Sequence, residues 1–150
     1  MENIFEPAVA EKVINRIDKL TPETRPEWGK MDVSQMMAHC NVAYEMAFEN
    51  KHPKPNAIMR WFIQLMAKST VCGDKPYKKG QQTAPALLIN DKRDFETEKK
   101  RLIGYIKKSE QLGSDYFEGK ESLSFGKLSS AEWNTMFHKH LNHHLTQFGV

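Results

Sequence analysis

Apolar residues recur at three- and four-residue intervals in five stretches of the chain, the spacing that lines one face of an α-helix. Val9, Val13, Ile17 and Leu20 predict a first helix over about residues 7–20, with Pro7 tolerated in its first turn. Residues 21–30, with Pro22, Pro26 and Gly29, end it. Val33, Met36, Cys40, Ala43, Tyr44 and Ala47 predict a second helix that runs to about Glu49. It opens near Asp32 or Ser34, either of which can cap the first backbone N–H groups. A third helix is expected from about Asn56 to Ser69, between Pro53 and Pro55 on one side and Gly73 on the other. Its large apolar residues, Ile58, Trp61, Phe62, Leu65 and Met66, are read as facing inward, which would make it the most buried helix.

Residues 70–91 lack a helical period, and the short run Leu87, Leu88 and Ile89 is read as an extended loop packed across the other elements. Asp94 caps a fourth helix whose core contacts are Phe95, Leu102, Ile103 and Ile106. Glu96, Lys99, Lys100 and Lys107 face water there, and Gly113 is the expected stop. After a connection over residues 114–128, Ser129 and Glu132 form a helix-start signal, and a fifth helix follows to about Phe148. With no internal repeat, the economical assembly is an all-α, antiparallel bundle occupying residues 1–150 as one domain.

Composition narrows the setting. Two cysteines, Cys40 and Cys72, are too few for a disulfide framework or a cysteine-based zinc site, which favours a reducing, cytoplasmic environment. The first twenty residues carry too many charges for an export signal, and the most apolar stretch, residues 58–67, is interrupted by Arg60 and Gln64. It falls short of the ~20 residues that a membrane span needs. A net charge of +3, with both signs intermingled, gives no basic face for nucleic acid. Lys75, Lys78 and Lys79 read as solvated loop residues. No glycine-rich phosphate loop or dinucleotide fingerprint is present, so nucleotide and flavin cofactors are not expected.

The chemistry concentrates in histidine. At ~100° per residue, Trp133, Phe137, Leu141, His144 and Phe148 all lie within about 100° of His140 on the fifth helix. His138 lands near the opposite side, and His143 flanks the stripe less favourably. The i, i+4 pair His140 and His144 sits ~6 Å apart in rise, a spacing at which both rings can turn a nitrogen to one ion. His39 lies at the edge of the second helix's apolar stripe, able to face the same cavity. Three neutral imidazoles suit zinc, nickel or another borderline divalent ion and leave a coordination position open. Against this stands a plain reading in which the histidines form a hydrogen-bonded core edge or a surface patch.

Other residues carry less. Cys40 is expected as a buried neutral thiol and Cys72 as incidental; Met36, Met37 and Met46 fill the core, and Trp28 and Trp133 pack. Glu45 and Glu132 lie off the metal face, and no catalytic residue can be named.

The approach from Trp28 through Met36 to His39 and Cys40, and the ending from Leu128 through Trp133, His140 and His144 to Gly149, resemble the DinB-like superfamily over nearly the whole chain. That resemblance implies an antiparallel four-helix bundle of DinB/YfiT type with an additional short helix and long connecting loops. It also implies a metal held by His39, His140 and His144, and a homodimer. One departure is Ser122 and Leu123, where this branch tends to carry a His-Pro pair before the Phe-Gly step at Phe125 and Gly126. The implied function is a metal-dependent enzyme acting on a small molecule, by transfer of a low-molecular-weight thiol to an electrophile or by metal-assisted hydrolysis. The alternative is a non-catalytic metal-binding or stress-associated bundle.

Overall fold

The computed structural model describes residues 1–80 and 84–150. It is all-helical apart from a minimal hairpin. In chain order come α1 (Pro7–Asp18), α2 (Val33–Phe48), α3 (Ala57–Cys72), a 3-10 turn (Pro85–Leu87), α4 (Phe95–Phe117), β1 (Glu121–Ser122), β2 (Gly126–Lys127) and α5 (Ser130–Gln147). The strands pair antiparallel, Glu121 opposite Lys127 and Ser122 opposite Gly126.

Local chemistry sets the helix starts. Asp32 accepts from the backbone N–H of Gln35 at 2.8 Å, while the Gln35 side chain accepts from the Asp32 N–H at 3.0 Å, so two otherwise unpaired donors at the start of α2 are satisfied. Ser129 and Glu132 make the same reciprocal pair at α5. Asn56 and Asp94 cap α3 and α4.

The core is shared by α1, α2, α4 and α5, which pack against one another. Val13 and Ile17 of α1, Met36 and Met37 of α2, Leu102 and Ile106 of α4 and Leu141 of α5 are all buried. An aromatic stack ties the helices together: Tyr44 lies on Phe137 at 4.4 Å and Phe117 against Trp133 at 5.6 Å. Met36, Met37 and Trp133 are thus core residues, as expected. No helix among the described residues is long and apolar enough to cross a membrane.

The third helix overturns the expectation made for it. It extends three residues further, to Cys72, and Cys72 is its one buried residue; Ile58, Trp61, Phe62, Leu65 and Met66 face outward. Polar contacts hold its other face down. Arg60 reaches Glu121 at 2.6 Å and the Ser122 carbonyl at 3.1 Å, and Lys68 pairs with Glu132 at 3.0 Å. At the C-terminal end the buried Lys139 ammonium of α5 donates to the carbonyls of Thr70 (2.7 Å), Lys75 (3.2 Å) and Gly73. Three N–H donors meet a carbonyl of the last helical turn, that of the cap residue Gly73 and that of Lys75 just beyond it.

Two smaller differences follow from the same interplay of local and long-range forces. Gly113 (φ 72°) kinks α4 and does not end it, because the chain resumes helix to bring Phe117 into the core. His138 does lie away from His140, yet it is buried, because the N-terminal segment covers that side of α5. Asn134 fixes the segment, accepting from the Ile4 N–H at 2.7 Å and donating to the Glu2 carbonyl at 3.1 Å. Lys99, expected in water, is half-buried and pairs with Asp18 at 3.2 Å.

Candidate metal centre

Asp32 starts α2 so that His39 sits about two turns in, on the flank that meets α5. His140 and His144 occupy successive turns of α5. His39 and His144 are buried and His140 is partly exposed; one ring nitrogen from each lies within 4.8 Å of the other two. Ring centroids are 4.6 to 4.8 Å apart around the triangle. The structure therefore brings together all three histidines singled out from the sequence.

Hydrogen bonds decide which nitrogen each ring presents. His39 Nδ1 lies 2.8 Å from the Leu87 carbonyl, which can only accept, so Nδ1 carries the proton and Nε2 keeps its lone pair. His144 Nδ1 lies 2.8 Å from Gln147 Oε1. The amide cannot be reversed, because its Nε2 donates to the Trp28 carbonyl at 2.7 Å, so His144 likewise donates from Nδ1 and frees Nε2. His140 Nε2 sits 2.8 Å from His39 Nε2 and must supply the hydrogen between them. Two of the three histidines thus have their tautomers set by groups behind them, the arrangement that orients imidazoles where they bind metals.

Gly29 makes this close approach practicable. Its φ is +89°, and a β-carbon there would stand 2.5 Å from Gln147 Nε2. The Glu27 N–H donates to the Gln147 carbonyl at 2.8 Å, fastening the same segment to the end of α5.

Burial holds all three imidazoles neutral. It lowers His39, opposed by the Leu87 hydrogen bond, and lowers His140 strongly with help from His39, His144 and His143. His144 is pushed down to about 3, first by burial and then by His39, against the Gln147 hydrogen bond. Neutral imidazoles are the form that binds metal. The donor set fits a borderline divalent ion.

At the rim, Tyr77 meets His140 and His143 edge-on at 6.4 and 5.6 Å, and Lys79 Nζ lies 4.1 Å from the Trp28 ring centre. The lysine-bearing loop is thus partly engaged and not wholly solvated. Cys40 follows His39 in sequence but directs its thiol at Met36 Sδ, 3.8 Å away, and burial raises its pKa far above the usual thiol range. Cys72 is buried too, its thiol pushed up to about 11, first by burial. Glu45 is engaged by Arg101, His52 and Lys51, and Glu132 by Lys68 and its own helix cap, so neither carboxylate joins the triad.

Sequence reasoning missed the groups behind the histidines: the Leu87 carbonyl, Gln147 and the Trp28 carbonyl. Gln147 three residues after His144 was a usable signal, since that spacing puts both on one helix face. The backbone partners left none. Also missed was a buried polar pair, in which Asn41 donates to Glu98 at 2.8 Å and Arg101 to the same carboxylate at 2.9 Å.

Fold and site together define a class: an all-helical protein with three converging histidines able to hold a metal ion. The chain belongs to the family described as protein of unknown function DUF1569, whose profile matches residues 7–149. No curated protein and no solved structure matches it.

Proposed function

We propose that this chain is a metal-dependent enzyme of DinB-like type, an antiparallel four-helix bundle in which His39, His140 and His144 hold a divalent ion, zinc or nickel by donor preference. The observation that carries the reading is the pair of locked tautomers. A buried imidazole needs a partner for its N–H in any setting; what packing alone does not require is that the Nε2 atoms left over converge with His140 on a common point. The placement of one histidine on α2 and a pair on α5, with α1, α2, α4 and α5 around a shared core, supports the DinB-like relation.

A bound ion would supply Lewis acidity to a thiol or water at its remaining position. The chain's own residues supply the rest. Leu87 and Gln147 keep the two Nδ1 protons, so that His39 and His144 need not reorganise. His143, with its ring 5.0 Å from that of His144, is held neutral by burial and by nearby Lys79, and its ring nitrogen can take the proton that an incoming thiol or water gives up. Two free cysteines support a reducing, cytoplasmic setting, where low-molecular-weight thiols abound.

A second reading, a non-catalytic metal-binding or stress-associated bundle, is favoured by the rings of Tyr77 and Trp28 around the triad's neighbour His143. It predicts a protein that, with or without bound metal, turns over no thiol with an electrophile and no hydrolysable ester.

Metal content measured by mass spectrometry on tag-free protein tests the premise of the first reading. Near-stoichiometric zinc or nickel is expected in the wild type and its loss in His144→Ala. A wild type that takes up neither ion on titration sinks the metal-dependent enzyme and leaves the non-catalytic bundle, its histidines structural.

A further inference from the structure

We infer that the outward face of α3 docks on an anionic lipid bilayer, the helix lying in the plane of the headgroups with its apolar side chains inserted among them. Six large apolar side chains, Ile58, Met59, Trp61, Phe62, Leu65 and Met66, lie on that face, each between 52% and 82% exposed. At about 200 Å² apiece they leave roughly 700 Å² of apolar surface in water. That exceeds the ~300–600 Å² of the largest patch on an ordinary monomer. The exposure is built into the attachment of the helix. Arg60 and Lys68 project from the other side to Glu121 and Glu132, and Lys139 clasps the C-terminal carbonyls, so turning α3 inward would break all three.

Charge selects the occupant. The chain as a whole mixes its signs, yet residues 51–80 hold seven lysines and arginines against a single acid, Asp74, and the remainder carries more acid than base. Three of these cations flank the apolar stripe. Lys54 stands three residues before the helix, and Lys75 and Lys78 stand three and six residues after its end, all exposed. Lys54 shares Glu121 with Arg60, while no carboxylate among the described residues pairs with Lys75 or Lys78. A stripe of aromatic and aliphatic side chains with lysines at both ends is the pattern of a helix that lies in a membrane interface, where acyl chains receive the apolar face and anionic headgroups the ammonium groups. Trp61 suits the headgroup level, with an apolar ring and one N–H to hydrate. Two copies set face to face would bring this positive excess against itself, so any pairing of copies falls to another surface.

Co-sedimentation of the full chain with vesicles tests this. The wild type is expected to partition onto mixed phosphatidylcholine–phosphatidylserine vesicles and to be released as salt is raised, while pure phosphatidylcholine takes up far less. Leu65→Glu is expected to weaken binding at least ~10-fold, and Lys75→Ala together with Lys78→Ala ~30-fold, with far-UV circular dichroism unchanged, since all three positions are exposed. Insertion should blue-shift tryptophan emission, and Trp61→Phe should abolish the shift while binding persists. Wild type left in the supernatant of mixed vesicles overturns the inference, as does binding that is equal on both compositions or indifferent to Leu65→Glu. A lipid-free dimer that Leu65→Glu splits in sedimentation equilibrium assigns the face to a second copy and overturns it as well. Metal uptake has no part in the readout, so failure here leaves the proposed function standing.

Discussion

Gln147 links two parts of the chain at the site, accepting from His144 with one end of its amide and donating to the Trp28 carbonyl with the other. It is a positioning residue, and its removal should leave three ligands in place but one poorly aimed. Gln147→Leu is expected to lower zinc affinity by ~10–100-fold in competition with a chromophoric chelator, without unfolding the protein. Gln147→Glu keeps an acceptor for the His144 Nδ1 proton but loses the donor to the Trp28 carbonyl, so it is expected to recover only part of that loss. Equal affinity in wild type and Gln147→Leu would remove the orienting role. The convergence of the three histidines was legible because an i, i+4 pair on an amphipathic helix fixes both direction and separation, and His39 could be placed by the same arithmetic. The backbone carbonyls of Leu87 and Trp28 were not, because a carbonyl has no sequence signature and these lie 48 and 119 residues from the side chains they serve.

Helix starts followed from chemistry within four or five residues, which is why the cap at Ser129 could be read directly and that of α2 narrowed to Asp32 or Ser34. The orientation of α3 could not. Periodicity tells which side chains share a face, and it is silent on whether that face meets the core or something else. The deciding contacts join Arg60 to Glu121 and Lys68 to Glu132, more than sixty residues apart. Lys139 gives this element its strongest tie. Lys139→Met keeps the aliphatic stem and removes the ammonium, stranding the carbonyls of Thr70, Gly73 and Lys75. The expected cost is ~1–3 kcal/mol, seen as a melting temperature lower by ~2–4 °C for each kcal/mol. An unchanged melting temperature would mean that water replaces the ammonium without loss.

For the molecule as a whole, the buried histidines set an acid limit. His39, His140 and His144 are all held below the ordinary imidazole range by burial, His144 to about 3. In the unfolded chain they protonate near ~6.5. Between those values the unfolded state binds more protons, so stability is full above ~6.5 and declines as the pH falls toward 3. Glu45 adds a loss of the same sign at lower pH: although burial opposes its ionisation, hydrogen bonds from Arg101, His52 and Lys51 hold its pKa below the usual range. Urea midpoints of metal-free protein are therefore expected to drop between pH 7.5 and pH 4.5, and equal midpoints would mean that the imidazoles are solvated.

The third helix answers to two solvents at once. Its ties to the rest of the chain include half-buried ion pairs, which dissolved electrolyte weakens only as the screening length shrinks from ~8 Å at physiological strength toward ~3 Å at 1 M. Its outward side chains respond oppositely to salting-out anions such as sulfate, which strengthen apolar association. Raising the concentration of such a salt loosens α3 from its own body while making its outer surface stickier, so ionic composition becomes a control on how the helix divides its contacts.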